Sequence, residues 1–196
     1  MALACSAGGL PALQQITSGL ATDSPAAFIV LRHQDPRYGD HLAGILQRRT
    51  RMPVAFAHDG DVLVPGRILV APPGYHTLVS RDFTVVLVRS GDRPPYRPSA
   101  DLLFTSMAIA AAGKAIAVVL SGYGNDGATG AAVIHHLGGT VIAGDKSTSP
   151  VFAMPNAAIS RDEIVDHVVP VNTIARLLTT LFASGPSESV AAAAPR

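Results

Sequence analysis

A chain of 196 residues, 48% hydrophobic and 15% charged, can bury one sizeable core, and that balance excludes an intrinsically disordered chain. The formal net charge of +1 comes without a basic stripe, which argues against nucleic acid as the main partner. A single cysteine, Cys5, excludes an internal disulfide and suits a reducing compartment, and the longest apolar runs fall far below the ~20 residues that span a bilayer. The first ten residues have no basic n-region, so the reading is a cytoplasmic protein with no membrane insertion.

Met1–Cys5 (MALAC) reads as a short first strand, Ser6–Leu10 as a turn, and Pro11–Gly19 as a helix with proline in its first turn. Ala26–Leu31 (AAFIVL) is a second buried strand, followed by Arg32-His33 and a polar turn. The 3.6-residue spacing of Leu42, Ile45 and Leu46 predicts a helix over Gly39–Thr50. Val54–Ala57 and Arg67–Ala71 are short strands, and Leu78–Ser80 with Val85–Val88 read as a hairpin about Arg81-Asp82. Gly91–Pro98 is a proline-rich loop, and Ser99–Gly113 is a helix with Ser99 as its N-cap. Ala115–Leu120 is a strand, Leu120–Gly130 a glycine-rich turn and Ala128–Leu137 a helix. Thr140–Ala143 and a segment within Glu163–Val169 are further strands, with a loop or short helix between them at Ser149–Ser160. Asn172–Phe182 is an amphipathic helix, and the Ala/Ser/Pro-rich segment 183–196 reads as a disordered tail. Strands alternating with helices, most of them apolar throughout, predict an α/β fold. Residues 1–182 form one domain, with a doubly wound, mostly parallel sheet flanked by helices and an antiparallel hairpin at one edge.

In such a sheet Ser6, His33 and Asp126 each lie just past the end of a strand, so a parallel arrangement brings them to one edge. Serine is a poor nucleophile until a base takes its proton, histidine does this near neutral pH, and a carboxylate orients the imidazole and stabilises its cation. Taken singly, Ser6 and Asp126 read as helix caps and His33 as a polar loop residue; only the three together suggest chemistry. The order Ser…His…Asp differs from that of α/β hydrolases, and the turn around Ser6 lacks the first glycine of their nucleophile elbow. Gly122–Gly127 also matches G-x-G-x-x-G, with Asp145 following at close to the ~20-residue spacing of a ribose-binding acid, which keeps a dinucleotide-binding domain open as a third reading.

Five ordered motifs resemble the chemotaxis protein-glutamate methylesterases, the CheB-type catalytic domain. They are Cys5-Ser6-Ala7-Gly8-Gly9, Leu31-Arg32-His33, Arg97-Pro98-Ser99-Ala100-Asp101, Leu120-Ser121-Gly122-Tyr123-Gly124-Asn125-Asp126-Gly127 and Met154-Pro155. The resemblance covers about Leu3–Phe182 and implies hydrolysis of glutamate γ-methyl esters on the cytoplasmic helices of chemoreceptors, with deamidation of glutamine as a second activity. It implies Ser6 as nucleophile, His33 as general base and Asp126 as orienting acid, with the backbone N–H groups of Ala7 and Tyr123 as oxyanion-hole candidates. Arg97 and Met154 are candidates for contact with substrate, and neither metal nor organic cofactor is expected. The partner implied is a methyl-accepting chemoreceptor or a similar helical signalling protein. This sequence shows no fused receiver domain, which leaves a separate receiver protein as a second partner. The sequence departs from the family pattern at Ala4-Cys5, Ala7 and Tyr123, and those departures motivate the alternative of a catalytically weak binding or regulatory module.

Several residues have plainer roles. Cys5 alternates with Ser6 and is expected to face the core. His135-His136 are expected at a helix end as cations rather than metal ligands, and His41, His58, His76 and His167 on the surface. Asp35 is a second carboxylate near His33, Arg97 is equally suited to pairing with a carboxylate, and Met154-Pro155 is expected to shape a loop wall.

Overall fold

A computed structural model describes residues 1–35, 37, 41–91 and 97–184. In chain order the strands are β1 (Ala2–Cys5), β2 (Phe28–Arg32), β3 (Val54–Phe56), β4 (Ile68–Val70), β5 (Tyr75–Val79), β6 (Val85–Arg89), β7 (Ile116–Val119), β8 (Thr140–Gly144) and β9 (His167–Val169). The helices are α1 (Leu10–Ser18), α2 (Leu42–Gln47), α3 (Ala100–Ala111), α4 (Ala128–His136), α5 (Ala153–Ile159) and α6 (Val171–Ser184). Seven strands form a parallel sheet in the order β3-β4-β2-β1-β7-β8-β9. The chain winds outward in one direction from β1 and in the other from β7, so the switch point where such sheets form a crevice lies between β1 and β7.

The central strands are apolar without interruption because both faces are covered. Leu3 and Cys5 of β1 point into a core layer shared with α1, α2 and α6, while Ala2 and Ala4 point into the opposite layer with α3, α4 and α5. The register aligns Ala4 with Leu31 on one side and with Val119 on the other, so the carboxyl ends of β1, β2 and β7 are level. That alignment brings Ser6, His33 and the turn after β7 to one edge of the sheet.

The expected hairpin forms, but not at the edge of the main sheet. β5 and β6 make a separate two-stranded antiparallel sheet. It is held against α3 instead: the Val79 N–H donates to Ser106 Oγ at 3.0 Å, and buried Val79 joins the α3–α4 core. The second helix is shorter than its apolar spacing suggests. It ends at Gln47, whose amide nitrogen donates to the Thr50 and Met52 carbonyls at 3.3 and 3.1 Å and whose oxygen accepts the Val54 N–H at 2.9 Å, turning the chain into β3. Positions 39 and 40 of that expectation lie outside the described residues, as do 92–96 of the proline-rich loop. Around Met154 the loop-or-helix alternative resolves as α5. The last helix continues to Ser184, and the rest of the expected tail, 185–196, lies outside the described residues. No helix among the described residues is long and apolar enough to cross a membrane.

α3 and α4 pack in close contact because Gly130 has no side chain. A Cβ there would stand 2.7 Å from both the Asp101 carbonyl oxygen and Phe104 Cβ. Gly130→Ala is therefore expected to destabilise the fold by about 1–3 kcal/mol through overpacking, outweighing the ~1 kcal/mol that alanine adds by helix propensity. Urea unfolding checks this, and a variant more stable than wild type would contradict the packing argument.

Candidate active site

Asp126 is 2% exposed, and a buried carboxylate must find donors. It finds them at the N-terminus of α3. Oδ2 accepts the Ala100 N–H at 2.6 Å, and Oδ1 accepts the Asp101 N–H at 3.0 Å and the Ser99 hydroxyl at 3.1 Å. The remaining contact is to His33, whose Nε2 lies 2.7 Å from Oδ2. Asp126 therefore does cap a helix, though not α4, whose N-cap Gly127 it precedes. Its charge meets the positive end of the α3 dipole and N–H groups that have no partner within the helix.

The arrangement is reciprocal. Asp101, in the first turn of α3, reaches across to the start of α4, where its Oδ1 accepts the N–H groups of Gly127 and Gly130 at 2.9 and 2.7 Å. Each carboxylate thus caps the helix that the other belongs to or precedes. Their environments separate them electrostatically. Burial works against the charge on Asp126, but the His33 bond and the N–H groups of Ala100 and Asp101 outweigh it and hold that carboxyl below the usual carboxylate range. Burial pushes the Asp101 carboxyl up. The Gly130 N–H opposes that rise, and the neighbouring Asp126 charge adds to it.

Ser6 follows β1 at the same edge. Its N–H donates to the Ser121 carbonyl at 2.9 Å, and its carbonyl accepts the Gly9 N–H at 3.1 Å, which closes the turn into α1. Gly122 lies directly against it: a Cβ at that position would come within 2.7 Å of Ser6 Cβ and would collide with Met154 Sδ. Ser121 locks these pieces together. Its buried hydroxyl donates to the Ala7 carbonyl at 2.8 Å and accepts the Val151 N–H at 3.0 Å. Among the described residues no hydrogen bond satisfies the N–H groups of Ala7 and Tyr123, which flank this contact.

The other candidates take distinct places. Cys5 is fully buried, and burial pushes its thiol up to about 12 against the opposing charge of Arg32, so a thiolate is not available there. Asp35 is engaged by Arg37, whose guanidinium donates to it at 2.6–3.1 Å. The Arg97 guanidinium donates to the Gly91 carbonyl at 2.7 Å and pairs with no carboxylate among the described residues, and its own carbonyl accepts the Gln34 N–H at 3.1 Å beside His33. Met154 is fully buried beneath the glycine turn, where its N–H donates to the Gly122 carbonyl at 2.9 Å, so it backs the turn instead of facing outward. Tyr123 is 68% exposed at the rim. His135 and His136 stand in the last turn of α4, and no cluster of three or more His, Cys, Asp or Glu side chains suited to a metal occurs among the described residues.

His76 is less exposed than His41 and His58. It is half-buried, and its Nδ1 accepts the Ser99 N–H at 3.0 Å. Asp101, Ser121 and His76 escape sequence reasoning because each acts on a partner at least 23 residues away. The advance signals are that Asp101 lies one turn into a helix whose N-cap is legible and that Asp101 and Ser121 fall within two of the motifs that resemble the family. The dinucleotide reading fails at the same place. The helix start that would hold a pyrophosphate is already filled by the Asp101 carboxylate, and Asp145 is occupied by Ser147 and Thr148.

The chain is similar to known proteins over most of its length. The family model described as CheB methylesterase matches residues 1–178. The chain is 37% identical over 184 residues to protein-glutamate methylesterase/protein-glutamine glutaminase 1 of Myxococcus xanthus, covering 92% of this chain and 53% of that protein. It is 39% identical over 182 residues to protein-glutamate methylesterase/protein-glutamine glutaminase 2 of Anaeromyxobacter dehalogenans, covering 91% and 52%. The crystal structure of the Thermotoga maritima CheB methylesterase catalytic domain superposes with a TM-score of 0.86 at 33% identity, covering 91% of this chain and 96% of that one. The chain spans about half the length of the curated relatives it matches.

The two carboxyl shifts have opposite consequences for stability. The depressed value of Asp126 adds stability that is present above the unfolded value of about 3.9 and is lost as pH falls through the folded value; the raised value of Asp101 adds stability below about 3.9 that is lost as pH rises through its folded value. The advantage of wild type over Asp126→Asn is therefore expected to shrink as pH falls below about 4, whereas Asp101→Asn gains on wild type as pH rises past that point. Urea midpoints measured across the range check both signs, and a wild-type advantage over Asp126→Asn that grew on acidification would refute the assignment.

Proposed function

This chain belongs to the CheB methylesterase family, and on that premise we propose that it is a serine hydrolase that demethylates glutamate γ-methyl esters on the cytoplasmic helices of a chemoreceptor or similar helical signalling protein, with glutamine deamidation as a second activity. The observation that carries the reading is the 2.7 Å contact between His33 Nε2 and Asp126 Oδ2, made at the strand ends level with Ser6.

Because Nε2 is taken by Asp126, His33 acts on Ser6 through Nδ1. The Ser6 hydroxyl oxygen attacks the ester carbonyl as His33 takes its proton, and Asp126 stays ionised to stabilise the imidazolium. The negative charge that develops on the carbonyl oxygen is met by the N–H groups of Ala7 and Tyr123. Collapse breaks the ester C–O bond, and the proton on His33 passes to the departing methoxide as methanol. Water then attacks the Ser6 ester with His33 again as base and releases the glutamate side chain. With a glutamine side chain the same steps release ammonia. No metal or organic cofactor enters these steps. In this reading Arg97 and the exposed Tyr123 contact the helical substrate. A separate receiver protein is a further proposed partner, and the site of action is the cytoplasm.

Methanol release from methylated chemoreceptor membranes is expected with this protein and not with Ser6→Ala. Release by neither, from folded protein, would favour a binding or regulatory module that keeps the fold. Release by both would remove Ser6 as nucleophile. Asp126→Asn is expected to slow turnover by about a hundredfold or more while the protein stays folded at neutral pH. Turnover at the wild-type rate in that variant would remove Asp126 from the mechanism.

A further inference from the structure

The hairpin β5–β6 carries a histidine that the mechanism above does not use. His76 Nδ1 accepts the Ser99 N–H at 3.0 Å, while the Ser99 hydroxyl donates to Asp126 Oδ1 at 3.1 Å and accepts the Leu102 N–H at 3.4 Å. The backbone and side chain of this one N-cap residue are thus fixed from two sides, by a ring on a separate sheet and by the buried carboxylate. A helix N-cap has no intrahelical partner for its own N–H, so an outside acceptor decides where that residue sits. An Nδ1 that accepts belongs to an imidazole carrying its proton on Nε2. Burial keeps the His76 pKa below its ordinary value, Asp126 across the site opposes this, and Arg97 from the segment before α3 reinforces it. On its own hairpin, His76 is paired with Val88, and Arg89 lies over the Tyr75 ring.

We propose that His76 is a positioning residue of the hydrolytic site: as a hydrogen-bond acceptor it fixes Ser99 and the first turn of α3, and that turn sets the orientation of Asp126 and through it His33. The inference rests on the hydrolase reading for its kinetic consequence and on the resting structure alone for its geometric one. The hairpin packed against α3 through Val79 thus also supplies the acceptor for the Ser99 N–H.

Asparagine and glutamine at position 76 separate this role from simple filling of space. Asn places an amide oxygen near the position of Nδ1, and Gln places it near that of Nε2. His76→Asn is expected to keep kcat within about twofold of wild type, and His76→Gln to lower it by about tenfold with KM unchanged, since a small misplacement of a catalytic group acts on kcat. In resting protein at neutral pH, the carboxyl 13C shift of Asp126 and the ring 15N shifts of His33 are expected to match wild type in His76→Asn and to move in His76→Gln. His76→Gln with wild-type shifts, or with wild-type kcat in an active enzyme, overturns the proposal, as does His76→Asn that perturbs the shifts as much as Gln. If wild type releases no methanol from any methyl ester, the hydrolase reading fails, and the shifts in the three proteins still decide the role of His76.

Discussion

A carboxylate that is almost wholly buried governs the arrangement of this molecule's working edge. Removing Asp126 from water costs several kcal/mol, and only well-placed donors offset that cost. Each hydrogen bond to a charged group contributes about 1.5–3 kcal/mol. The Ala100 and Asp101 N–H groups, the Ser99 hydroxyl and the His33 ring together make ionised Asp126 the favoured form. Three of these four donors come from the start of α3. The position of that helix, the ionisation of Asp126 and the direction of the His33 ring are therefore one constraint rather than three. The reciprocal cap by Asp101 extends it to α4, and the missing side chain of Gly130 allows the two helices to come close enough to exchange caps.

The sheet topology makes this possible. Because β1 lies between β2 and β7 in a parallel sheet, three chain segments far apart in sequence end side by side at the switch point. The turn after β1 enters a helix, the end of β2 presents His33, and the glycine-rich turn after β7 lies against Ser6. The alternation of an extended chain then separates the two nucleophile candidates. Cys5 points into the layer under α1 and α6, where burial holds its thiol protonated, and the next residue begins the exposed turn.

What was legible in the sequence is what local pattern encodes. Uninterrupted apolar runs mark β1, β2, β7 and β8, because a strand covered on both faces has no polar side to display. The strand ends place Ser6, His33 and Asp126 together without any contact being known. The hairpin was legible as a hairpin, but its place was not, since the bond from Val79 to Ser106 that draws it to α3 joins segments 27 residues apart. His76 was illegible for the same reason. A lone histidine on a half-buried strand carries no mark of the backbone N–H it will meet. The end of α2 was missed because the Gln47 side chain, not a glycine or proline, closes it.

The departures from the family's usual residues acquire a physical meaning in this geometry. In the proposed mechanism the oxyanion donors are the backbone N–H groups of Ala7 and Tyr123, and a backbone donor depends on the path of the chain, not on the side chain attached to it. That path is set elsewhere. Ser121 ties the Ala7 carbonyl to the Val151 N–H, and Gly122 fits against Ser6 and Met154 with no room for a Cβ. An alanine at position 7 and a tyrosine at position 123 therefore leave the donors in place and change only what the rim presents. Tyr123, 68% exposed, offers an apolar ring with a polar tip at the mouth of the site. In that mechanism the changes at positions 7 and 123 bear on which helix surface is accepted more than on whether the ester bond is broken. Losing the path itself, through Gly122 or Ser121, would disturb the proposed nucleophile and its proposed oxyanion donors together.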